Sequence, residues 1–147
     1  MTKVNGHKIK PQVNLSGANL SKGNLRAARL SGANLSGADL SYSDMSRGYM
    51  SQADFSNANL SHSHLESALM MMSNLSGANL AGANLTGAHL PVANLMNANL
   101  TNANLTNVDL TNANLTNANL KGANLSGTVV VEAILTGATM PDGTIHD

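Results

Sequence analysis

The chain is written in fives. From Met96 to Leu120 it reads MNANL, TNANL, TNVDL, TNANL, TNANL, with no gap between repeats. A period of five restricts the fold severely. A β-strand sends successive side chains to opposite faces, so an odd repeat would split the leucines between two faces. An α-helix turns about 100° per residue, so each leucine would be displaced by about 140° from the last and no apolar stripe would form. A straight helix or strand therefore cannot bury these leucines together. The chain must turn once per repeat, in the same sense each time, which is a solenoid whose repeats bury their apolar residues against their neighbours.

The frame runs without insertion from Pro11 to Ile145 as 27 pentads. The residue at each multiple of five, here called the centre, is Leu in 20 of the 27. The exceptions, Met45, Met50, Phe55, Met70, Val130, Met140 and Ile145, are all apolar. Two residues before the centre, Ala stands in 18 pentads; one before it, Asn or Asp stands in 18. Alternation along a short extended segment points the centre and the residue two before it to the same side, the interior. The expected core therefore includes Leu15, Leu20, Leu40, Met50, Phe55, Leu60, Met70, Leu80, Leu100 and Leu120. Gly and Asn, frequent two residues after the centre, suit the positive φ that corners require.

Such a core explains why three aromatic residues (Tyr42, Tyr49, Phe55) suffice in 147 residues: one leucine and one alanine per repeat fill a narrow interior. The length fits one domain. Net charge is zero, with the bases concentrated toward the N-terminus: Lys3, Lys8, Lys10, Lys22, Arg26, Arg29 and Arg47 precede residue 74, where only Lys121 follows. Neither half is charged enough for a nucleic-acid groove, so no nucleic-acid partner is expected. There is no cysteine to report on redox compartment. No apolar run suggests a secretion signal or a membrane span, so the cytoplasm is the expected compartment and no membrane partner is expected. The Asn-Leu-Ser and Asn-Leu-Thr triplets match a glycosylation sequon only as by-products of the repeat.

The pattern resembles the pentapeptide repeat family, whose consensus is A-(D/N)-L-x-x. The likeness covers Pro11 to Ile145, and the ending TMPDGTIHD is similar to tails of cyanobacterial members. The resemblance implies an all-β fold, a right-handed square β-helix of four pentads per coil. About seven coils would then make a rod roughly 32 Å tall at strand spacing. It also implies stacked Asn side chains forming amide ladders. Residues 1–10 are expected as an N-terminal cap, a hairpin or strand turning at Asn5-Gly6; 11–145 as the β-helix; and 146–147 as a tail. The segment 41–73 is the least regular and tests whether the four-pentad coil persists.

Chemistry is scarce. Exposed Ser and Thr are many, but none has a base at fixed spacing, and the SGANLSG glycines lead into no helix. No catalytic residue and no cofactor are expected. With the 20-residue coil that the resemblance implies, Asp44 lies over His64 and Tyr42 over His62, giving His62, His64 and Asp44 as the only candidate metal ligands against a plainer reading as solvated polar residues. The same stacking gathers Tyr49, Leu69, Met71, Met72, Pro91 and Val92 on one outward face, with Val129 and Val131 farther down it beyond Asp109 and Thr111. Elsewhere these positions hold Asn, Ser, Thr and Gly. A contiguous exposed apolar patch marks an interface. The expected function is a non-enzymatic interaction solenoid that binds a protein partner, or a second copy, through this face. The alternative is the DNA mimicry of quinolone-resistance members that bind gyrase or topoisomerase, which needs an acidic rod that eight acids against eight bases do not make.

Overall fold

The computed structural model describes residues 2–147; Met1, the first residue of the expected cap, lies outside the described residues. Parallel bridges join residues twenty apart, from Asn14–Asn34 without interruption to Asn119–Thr139. Twenty residues are four pentads, so the chain winds as a four-sided β-helix with one pentad per side. The centre N–H groups from Leu15 to Leu120 donate to the next coil, as Leu60 N to Asn79 O at 2.7 Å, and the residue before a centre donates back, as Asn79 N to Ala58 O at 2.9 Å. The irregular segment obeys the same register: Asn24 bridges Asp44, Asp44 bridges His64, and Tyr49 bridges Leu69.

A turn follows each centre. Its N–H···O bond closes from the third residue on, as Ala58 N to Phe55 O at 3.0 Å. The second residue after the centre has positive φ at all 26 corners from Gln12 to Gly137. That combination is the type II turn. Gly and Asn do not hold a monopoly there: Lys22, Tyr42, Met72, Val92 and Glu132 adopt φ of 56°, 58°, 59°, 60° and 57°. The ladder on both sides fixes the corner, and the side chain must comply.

All ten core residues named above are buried, from Leu20 at 0 % exposure to Leu15 at 4 %. Met45, Met50, Phe55 and Met70 replace leucine without leaving the interior. Gly48 makes room for one of them, since a Cβ there would meet Met50 Cε at 2.8 Å. The Asn and Asp side chains depart from the amide-ladder expectation. Their Oδ1 atoms turn along their own strand to accept the N–H two residues on, as Asn99 Oδ1 from Thr101 N at 3.1 Å. Among the described residues, a single amide–amide bond joins neighbouring coils, Asn99 Nδ2 to Asn79 Oδ1 at 3.4 Å. The local Asx bond satisfies a turn donor that the ladder leaves free, and so wins the oxygen.

At the N-terminal end, β1 (Lys3–Val4) and β2 (His7–Lys8) form an antiparallel hairpin. Asn5 and Gly6 turn it with φ of 48° and 84°. Val4 packs on Gly23, where a Cβ would sit 2.4 Å from Val4 Cγ1. Asn5 Nδ2 donates to the free carbonyls of Asn19 and Ser21 at 3.3 and 3.2 Å.

The C-terminal boundary differs from the expected 145. The parallel ladder ends at Thr139, and Ile145 pairs antiparallel with Thr139. Ile145 is consequently 62 % exposed, not a core centre, and Val130 on the last coil is 43 % exposed. The cause lies at the final corner. Asp142 lacks the positive φ of its 26 predecessors, which passes instead to Gly143 at 87°. Met140 N then bonds Thr144 O at 2.7 Å and the chain reverses. His146, expected as tail, belongs to this return: its N–H reaches Ala138 O at 2.8 Å.

Candidate interaction face

The column Arg29, Tyr49, Leu69, His89, Asp109, Val129 is continuous, each bridged to the next. Beside it, the corner residues stack in the same register: Gln52 N bonds Met71 O at 2.9 Å, and Met72 N bonds Pro91 O at 3.0 Å. Tyr49, Leu69, Met71, Met72 and Val92 are therefore neighbours, at 48, 38, 49, 52 and 52 % exposure, with Pro91 half-buried among them. Val129 and Val131 are exposed on the same columns, separated from the cluster by Asp109 and Thr111. Coil stacking thus makes one apolar surface from segments that follow one another at intervals of 20 residues.

Backbone conformation adds a second fact. Met72 and Val92 occupy left-handed corners. A β-branched residue is poorly suited to that region, at a cost of about 1–2 kcal/mol for L-residues in general. Six corners (57, 97, 102, 107, 112, 117) carry Asn, which tolerates it. Valine at 92 gains no burial in return.

The polar border is also structured. Asp109 accepts from Thr111 Oγ1 at 2.6 Å and Thr111 N at 3.0 Å. Those bonds, with the His89 ring nearby, hold its carboxyl below the usual carboxylate range. Arg29 sits at the opposite border, lining a shallow hollow with Pro11, Ser31 and Tyr49.

The histidine candidates do not converge. Asp44 does bridge His64. The His64 ring, however, engages Glu66 Oε1 at 3.1 Å, while His62 stacks on Tyr42 with ring centroids 4.9 Å apart and planes 18° off parallel. His62 is at a corner, φ 57°, and leans over Gly82, so the two imidazoles serve different partners. Among the described residues no three His, Cys, Asp or Glu side chains are grouped to hold a metal. Two hollows near the N-terminal end are lined by Thr2, Ile9, Lys10, Pro11 and residues 24–29, and by the Arg29 set above; neither lining contains a His, Asp, Glu or Cys.

Sequence reasoning missed Ile134, 48 % exposed, and Tyr42, 57 % exposed. Ile134 stands where Asn is usual, the same signal that identified Val129. It also missed the Glu66 junction, where Oε1 accepts from Asn84 Nδ2 at 2.9 Å.

The family model described as pentapeptide repeats (8 copies) matches residues 12–47, 33–71, 73–112 and 113–142. Among solved structures, the chain is similar to HetL, a pentapeptide repeat protein involved in heterocyst differentiation regulation from the cyanobacterium Nostoc sp. strain PCC 7120. That likeness has 28 % identity over 92 % of this chain and 88 % of that one, with a TM-score of 0.37. Rfr23, from the cyanobacterium Cyanothece 51142, shows 28 % identity over 95 % and 88 %, with a TM-score of 0.26. QnrB1, a plasmid-mediated fluoroquinolone resistance protein, shows 18 % identity over 88 % and 73 %, with a TM-score of 0.57, a likeness of fold alone. No curated protein matches the sequence. Among the described residues, no helix is long and apolar enough to cross a membrane.

Proposed function

The chain belongs to the pentapeptide repeat family, whose repeats wind as a right-handed quadrilateral β-helix, and from that premise we propose that it is a non-enzymatic scaffold acting by protein contact through the Tyr49–Val92 face. Pro11 to Met140 make between six and seven coils of a rod with a filled interior, which offers no substrate pocket. The expected setting is the cytoplasm. The observation that carries the reading is Val92. It is exposed, apolar and held at φ 60°, so neither burial nor backbone preference accounts for it. Strained positions of this kind cluster where a surface has a task. Met71 and Met72 supply adaptable contact area and Tyr49 an aromatic anchor. DNA mimicry is not adopted, because a surface of balanced charge cannot compete for a phosphate-binding groove.

Hydroxyl-radical oxidation tests the face. In dilute purified protein Met71 and Met72 should oxidise faster than half-buried Met96, which lies on another side of the rod. In extract of the host cell their rates should fall at least threefold relative to Met96. Unchanged relative rates in extract and in concentrated solution would remove the proposal.

A further inference from the structure

We propose that the face docks onto a second copy of itself with the two rods antiparallel, a twofold axis running through the Leu69–Met71–Met72 level. This rests on the reading of the face as an interface and names its occupant.

The argument is one of register. Each coil presents one level of the face, so the levels follow as Pro11 and Gln12; Arg29 and Ser31; Tyr49 and Ser51; Leu69, Met71 and Met72; His89, Pro91 and Val92; Asp109 and Thr111; Val129 and Val131. The Leu69 level is the middle of the seven. A twofold axis lying across the face at that level keeps columns together and reverses levels, as an isologous contact requires. Leu69, Met71 and Met72 then meet their own copies. Tyr49 meets His89 of the second copy, a ring against a ring. Arg29 meets Asp109, two levels out on opposite sides, and Pro11 meets Val131 three levels out.

This arrangement explains the interruption in the apolar column. Asp109 and Thr111 separate Val131 from Val92, and they fall where Arg29 and Ser31 of the second copy would lie. Asp109 accepts from Thr111 and, among the described residues, forms no salt bridge. The other twofold, along the rod axis, keeps levels and reverses columns, so it would bring the two Arg29 side chains to one level and the two Asp109 side chains to another, like charge near like charge. Charge therefore selects the antiparallel pairing.

Size sets the strength. Six coil spacings of roughly 4.8 Å and a width of three extended residues, about 10 Å, give about 300 Å² per copy. Stable interfaces bury about 800 Å² per partner, so the dimer is weak and its dissociation constant falls in the micromolar to millimolar range. The association should also weaken with added salt.

Sedimentation equilibrium of the full chain, from about 10 µM to about 1 mM, is the test. The native chain should dimerise. Arg29→Asp and Asp109→Arg should each weaken the dimer about tenfold, and the double swap should restore it to within about threefold. Both side chains are outward, and circular dichroism checks that the variants fold. A dimer that ignores the swaps but is lost in Met71→Asp/Met72→Asp overturns the antiparallel register and leaves the face as an interface. A monomer at every concentration, with Met71 and Met72 protected only in cell extract, overturns self-docking and leaves a heterologous partner. A monomer without protection, or a dimer that no face variant changes, removes both readings.

Discussion

Consider Leu100→Ala, a truncation halfway down the rod. Leu100 is 1 % exposed, and its column neighbours Leu80 and Leu120 are equally enclosed. Three carbon atoms leave the interior, worth about 2.4 kcal/mol at roughly 0.8 kcal/mol per methylene. The walls around the void are coils tied to one another, by Leu80 N to Asn99 O and Leu100 N to Asn119 O at 2.7 Å each, so they cannot settle into it. The residual cavity adds to the cost, giving about 3–4 kcal/mol in total. Val130→Ala offers the contrast. That residue is also a centre, but it is 43 % exposed on the last coil, where no further coil covers it. Its truncation should cost about 1 kcal/mol or less. Urea unfolding followed by circular dichroism measures both, provided the slope is unchanged between variants. A cost under about 1 kcal/mol at Leu100, or equal costs at the two sites, would refute the account of a continuous core that opens only at its end.

Three further outcomes follow from local geometry. Val92→Asn should stabilise the rod by about 1 kcal/mol, since Asn accepts the left-handed corner, while weakening self-association; a loss of stability would show that the valine is not strained. Asn5→Ala should cost about 0.5–1.5 kcal/mol and speed amide exchange in the first coil only, because the lost donor serves Asn19 O and Ser21 O; uniform exchange changes would contradict the capping role. Acid should erode stability. Asp44 and Asp109 sit below the ordinary carboxylate value because the hydroxyls of Ser46 and Thr111 donate to them, so they favour the fold above that value and lose the contribution as pH falls through their folded pKa. Thr111→Ala should raise the Asp109 pKa toward the ordinary carboxylate value in an NMR titration, and an unmoved value would dismiss the hydroxyl as the cause.

Much of this molecule is decided by its five-residue period. Five is incompatible with a straight strand or helix, so a turn per pentad and an inward Leu100 or Phe55 follow from chain geometry without any knowledge of neighbours. The apolar outliers Tyr49, Leu69, Met71, Met72 and Val92 are visible in the same way, as breaks in a monotonous polar pattern. How many pentads close a coil is another matter. The number four depends on the angle of the type II corner and on the ladder that repeats it, and only the bridges at twenty residues make Asp44 a neighbour of His64 or Tyr49 a neighbour of Leu69. The ladder also overrides local preference, driving Val92 and Glu132 into conformations that their side chains disfavour. Side-chain destinations were tertiary too. His62 and His64 are two residues apart in sequence, yet one stacks on Tyr42 and the other meets Glu66, because a corner and a side of the coil face different directions. The end of the rod shows the same division. The pentad frame runs on to Ile145, but winding stops at Met140, where the positive φ passes to Gly143 and the backbone bonds to itself instead of to the coil before.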